Sequence, residues 1–121
     1  MGAIFRGRKC YTGKVRETST VRFPDYSNKT LLLGTSNAST INAFSYTATE
    51  DCWIYVKGYP AQGTDFKVHL NDISGTQLFY VGASTASSIF PLKKGQKIIT
   101  AVGGGQSISY AEVDKFPCLV N

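Results

Sequence analysis

The sequence predicts an all-β protein, an antiparallel β-sandwich of about eight short strands preceded by an extended N-terminal arm. Three observations carry this. From about residue 30 onward, apolar and polar residues alternate in short runs separated by Gly, Asn, Asp and Ser, the grammar of a sandwich or barrel. No window of about 11 residues sustains the apolar spacing of a helix face. Charge is also partitioned: residues 1–23 hold Arg6, Arg8, Lys9, Lys14, Arg16 and Arg22 against Glu17 alone, which accounts for the whole formal charge of +5. The rest of the chain is neutral, with seven Lys against seven Asp or Glu. The division is therefore a basic arm, residues 1–23, and a sandwich body, residues 24–121.

The arm is short, basic and punctuated by Gly2, Gly7 and Gly13, and Phe23 to Asn28 reads as the joint with the body. Asn28-Lys29-Thr30 and Asn37-Ala38-Ser39 match the glycosylation pattern, which here marks polar, exposed loops. Asn42 to Ala48 alternates, with Phe44 and Tyr46 on one side. Phe66 to Leu70 puts three apolar residues on one face and leaves Lys67 and His69 on the other, facing solvent. Asn71 to Gly75 supplies a turn, so Thr76 to Val81 returns as its hairpin partner. Ser87 to Leu92 is a strand closed by Lys93-Lys94-Gly95, and Gln96 to Val102 follows. Gly103-Gly104-Gly105 reads as a flexible turn into Ser107 to Val113, and Lys115 to Val120 as a final edge strand, where Pro117 is tolerated.

One strand breaks the alternation. Cys52-Trp53-Ile54-Tyr55-Val56 is apolar or aromatic on both faces, whereas a sandwich strand normally shows one face to water. Its outward face must be covered by a loop or the arm, by another subunit, or by a ligand such as a carbohydrate. Tyr and Trp are enriched where proteins meet, so Trp53, Tyr55 and nearby Tyr59 are the candidates for a subunit interface or ligand contact. A sugar platform would also draw on Tyr80.

Catalysis finds no support, and no catalytic residue is assigned. His69 is the one histidine, and Cys10, Cys52 and Cys118 are not closely spaced. A zinc site therefore lacks ligands. The cysteines read as buried or free thiols, with a Cys52–Cys118 bridge left open because both fall in strands. Glu50 and Asp51 are adjacent and point to different sides of an extended segment, and Asp25, Asp65, Asp72 and Asp114 are scattered without calcium-loop spacing. The triple glycine lacks the lysine and helix of a phosphate loop. No metal or cofactor is expected. No apolar run approaches the roughly 20 residues of a membrane span. The start has no apolar stretch after its charges, so the sequence predicts a product of the cytoplasm made without a signal peptide.

Several stretches carry a resemblance. Met1 to Arg6, Tyr11-Thr12-Gly13, Pro24 to Thr30, Tyr46 to Cys52 and Phe90 to Gln96 are similar, in this order, to short proteins encoded by phages and prophages of clostridia-like gut bacteria. Thr47-Ala48-Thr49-Glu50-Asp51 and Pro91-Leu92-Lys93-Lys94-Gly95 also resemble jelly-roll domains of the complement-globular and tumour-necrosis-factor-like type. The resemblance implies a jelly-roll body, a homotrimer with aromatic strands along its axis, and a place on the virion surface as a fibre or decoration protein. In that setting the arm, through Ile4, Phe5, Arg6, Arg8, Lys9, Tyr11, Lys14 and Arg16, is expected to dock on another virion protein. The alternative is a receptor- or glycan-binding head acting on the bacterial host surface. Nucleic acid is disfavoured as a partner, since the arm has no stacking series and the body is neutral.

Overall fold

The computed structural model describes residues 22–120. They form an all-β sandwich of eight strands in two antiparallel four-stranded sheets. The elements are β1 (Thr30–Thr35), α1 (Ala38–Asn42), β2 (Ser45–Thr47), β3 (Cys52–Pro60), β4 (Thr64–Leu70), β5 (Gln77–Gly82), β6 (Ala86–Leu92), β7 (Lys97–Gly104) and β8 (Ile108–Pro117). One sheet runs β1-β8-β3-β6 and the other β2-β7-β4-β5. The first strand pairs with the last, the second with the seventh, the third with the sixth and the fourth with the fifth. Such nested pairing is one long hairpin wrapped around an axis, the connectivity of a jelly roll. No helix of the described residues is long and apolar enough to cross a membrane.

Alternation produces the core. On β3, Cys52, Ile54 and Val56 point between the sheets and meet Phe66 and Val68 of β4, Ile98 of β7 and Val113 of β8, all buried. Phe66 is fully enclosed and packs edge-on against Phe79 at 5.9 Å. Burying such a ring contributes roughly 2–3 kcal/mol. Its room comes from Gly58 on β3, where an added Cβ would lie 2.6 Å from the Phe66 ring. A glycine inside a strand often marks such a close approach.

The structure departs from the sequence reading in four places. Asn42 ends the helix α1 instead of opening a strand, and only Ser45–Thr47 pairs. Asn37 caps that helix by accepting from the Thr40 amide at 2.9 Å, the local side-chain bonding that makes Asn a helix starter. His69 is also not solvent-facing. Opposite Val68 and His69 the pairing with β5 skips Leu78, and the ring Nδ1 stands 3.1 Å from the Gly75 carbonyl, leaving the residue 9% exposed beside the Asn71–Gly75 turn. Lys115 to Val120 is no separate edge strand: β8 continues through Asp114 and Lys115 to Pro117 and lies inside its sheet, between β1 and β3. Asp114, between the two expected strands, lies inside β8 and is buried. Finally, Gly103 and Gly104 belong to β7, and Gly104, at φ +72°, packs against the Gly63 carbonyl.

Candidate functional site

Strands β1, β8, β3 and β6 have a second face, turned away from the core, and register fixes its contents. Across it Trp53 stands between Phe116 and Pro91, Tyr55 between Asp114 and Ile89, and Lys57 between Glu112 and Ser87. Leu31 of β1 flanks Asp114 on the other side and is 57% exposed. Tyr59 extends the row along β3, 42% exposed, with the Lys57 Nζ 5.7 Å from its ring centre. Trp53, Tyr55 and Tyr59 are thus brought together on one face, while Tyr80 lies apart, on β5 of the other sheet.

Part of this face is covered by the chain's own residues. The Trp53 Nε1 donates to the Arg22 carbonyl at 2.8 Å. Pro24 bridges to Cys118, the Leu119 amide donates to the Phe23 carbonyl, and the Asp25 amide to the Pro117 carbonyl, each of these two at 2.7 Å. Tyr26 then turns edge-on to Phe116 at 5.2 Å. Arg22 and Phe23, counted above with the arm, are held against the body. Where the strap ends, the apolar surface stays open: Phe23, Tyr26, Leu119 and Val120 are all exposed. The proposed docking residues Ile4, Phe5, Arg6, Arg8, Lys9, Tyr11, Lys14 and Arg16 lie outside the described residues.

The centre of the face is a feature that sequence reading missed. Glu112 and Asp114 are two apart on β8 and therefore share a side. Asp114 is 1% exposed, although it belongs to the face turned away from the core. The Lys29 Nζ lies 3.7 Å from a Glu112 oxygen and 3.9 Å from Oδ2 of Asp114. Among the described residues, no donor reaches Oδ1 of Asp114. Burial, then the neighbouring Glu112, push the Asp114 carboxyl up to about 7. Glu112 moves the other way, held below the usual range chiefly by its hydrogen bond with Asp114, against the cost of its own burial. The two carboxyls share one side of β8 beside the same lysine, and like charges so placed disfavour double ionisation, with the more buried Asp114 the readier to take up a proton. The signal was available in Glu112-Val113-Asp114, because acids two apart in an alternating strand face the same way.

The other chemistry-bearing side chains have structural partners. Glu50 pairs with Lys115 at 3.1 Å, whereas Asp51 accepts from the Lys94 amide at 2.9 Å. Cys52 and Cys118 are both free thiols, and burial pushes the Cys52 thiol up to about 11, keeping it protonated and unreactive. Asp25 and Asp72 are held below the usual carboxylate range by hydrogen bonds from the loop residues just after them, first those of Ser27 and Ser74. Among the described residues no three His, Cys, Asp or Glu side chains gather as metal ligands. Comparison with protein-family models, curated proteins and solved structures found no match to this chain. The functional reading therefore rests on the face itself.

Proposed function

We propose that this protein is a non-enzymatic binding and assembly module: copies of the body associate through the outer face of the β1-β8-β3-β6 sheet, and the basic arm tethers the assembly to a larger particle. The observation that carries this is the composition of the face. Trp53, Tyr55, Tyr59, Phe116, Leu31 and Ile89 share it, where an antiparallel sheet meeting water carries polar residues. A second copy is the favoured occupant because the face bears both signs, Lys29 and Lys57 beside Glu112 and Asp114. A rotated copy can set lysines against carboxylates, whereas a cationic strand or a nucleic acid would find no excess charge to bind. Three-fold association and a virion as the particle follow the motif resemblance, and the separate cationic arm fits a docking role.

Sedimentation equilibrium of the full chain at micromolar concentration tests the first half, with a trimer expected and a stable monomer fatal to it. Deletion of residues 1–20 tests the second, with loss of particle incorporation expected from a body that still folds. A second reading, a glycan-binding head, draws on exposed Tyr59 with its lysine. It predicts that the isolated chain binds host cell surfaces.

A further inference from the structure

We infer that the Glu112–Asp114 pair is a proton-operated gate on this face, closed and favouring association while a proton joins the two carboxyls, and opened when that proton leaves. The inference rests on the self-association reading and adds its regulation. Geometry carries it. Asp114 sits in the middle of an interior strand, flanked in register by Leu31 and Tyr55, with Oδ1 lacking any donor among the described residues. Glu112, two residues away on the same side of β8, is the neighbouring group that can exchange a hydrogen bond with Asp114 when one of the two is protonated.

The charged and titratable neighbours are few. From the residue just before β1 comes Lys29, from β3 Tyr55 and Lys57, and from β8 Tyr110, whose phenol is pushed up by burial and by Glu112. From β6 the register offers Ser87 and Ile89, which do not titrate. Lys29 has a side chain 52% exposed and that of Glu112 is 16% exposed. Both still draw on water that a second copy would displace. With one proton bound, the pair is a single negative charge beside Lys29 and needs little of that water. With the proton gone, a second carboxylate must be solvated at a buried position, and an isolated buried charge is costly. Covering the face therefore favours the protonated pair, so association takes up protons. By linkage, association then weakens by up to about tenfold per pH unit for each full proton taken up.

The test is sedimentation equilibrium of the full chain at about pH 6 and about pH 8.5, on wild type, Asp114→Asn and Glu112→Gln. The expected result is a wild-type assembly at least about tenfold weaker at the higher pH, with both variants insensitive to pH. Each new amide supplies the donor that the shared proton provides. Wild-type association equal at both pH values overturns the gate and leaves the assembly reading standing. Should Asp114→Asn fail to fold, Glu112→Gln decides: a variant as pH-sensitive as wild type overturns the gate. Monomers in every protein at both pH values overturn the assembly reading, and the gate with it.

Discussion

The two sheets share one core but show water different faces. On the β2-β7-β4-β5 side the outward residues include Ser45, Thr47, Lys97, Ile99, Ala101, Lys67 and Tyr80, and Lys67 pairs with Asp65 at 3.7 Å across partly exposed side chains. An ion pair between partly exposed side chains contributes little to stability, although Oδ1 of Asp65, like that of Asp114, is buried with no hydrogen bond among the described residues. On the β1-β8-β3-β6 side the same alternation delivers Trp53, Tyr55, Tyr59 and Phe116 around a carboxyl that is 1% exposed. The difference is one of content: one outward face is mainly polar, and the other holds a raised carboxyl among aromatic side chains.

Asp114 gives the largest effect. Its carboxyl is raised from 3.8 to about 7 in the folded chain, so its contribution to stability is fully present below about 3.8 and is lost as pH rises through about 7. Glu112, held low, acts in the opposite sense, and its contribution is lost as pH falls below about 4.5. Asp114→Asn should therefore raise stability on the order of 3 kcal/mol at pH 8, narrowing toward zero near pH 4. Urea titrations across pH check this, and no gain at pH 8 would show that the buried carboxyl carries no strain. Next in size is the contrast between faces. Replacing Tyr55 and Tyr59 together by Ser should weaken association by about 2 kcal/mol or more, roughly thirtyfold, as loss of interface aromatics does. Tyr80→Ser, on the solvated face, should leave it unchanged. Equal effects from the two would break the comparison.

Much of the fold was legible because strand alternation is local. Phe66 to Leu70 and its return strand, Ser87 to Leu92 and the strand from Gln96 follow directly from apolar spacing. The strand at Cys52 also forms as read, with Trp53 and Tyr55 on its outward face. What failed depended on distant partners. His69 alternates with Lys67 and so reads as exposed, but the turn that carries Gly75 folds against it and buries it. Asp114 falls in the gap between the strands read at Ser107 to Val113 and Lys115 to Val120, and only pairing on both sides of β8 makes it interior. With the strand ended at Val113, Glu112 and Asp114 fall in different segments, and the shared face their spacing carries goes unread. The strap from Arg22 to Asp25 was likewise hidden, since its hold on Trp53 spans 31 residues.

Two smaller predictions divide β3 itself into its faces. Gly58 points at the core, where a Cβ would lie 2.6 Å from Phe66, whereas Tyr59 points outward and is 42% exposed. Gly58→Ala should destabilise the fold by about 1.5 kcal/mol through overpacking. Tyr59→Ala should barely move the melting temperature at concentrations too low for association. Comparable losses would mean that the outer face contributes to the monomer's stability as the inner one does.

The smallest effect concerns how the arm leaves the body. Trp53→Phe keeps the apolar ring on the face but removes the N–H that holds the Arg22 carbonyl at 2.8 Å. A single neutral hydrogen bond is worth about 1 kcal/mol, so global stability should fall by no more than that. The local consequence should be larger than the global one. The strap is otherwise tied by the amides of Asp25 and Leu119, and freeing its first residue lets both bonds open more often. Amide exchange at these two positions should therefore quicken about fivefold, the change that about 1 kcal/mol implies, while amides in β4 and β7 stay protected. Unchanged exchange at Asp25 and Leu119 would mean that the strap is held without the indole, and that Trp53 belongs wholly to the association surface. Faster exchange confined to those amides would assign Trp53 two roles on one face, clasping the arm's exit with its edge and presenting its ring beside Phe116 to a neighbouring copy.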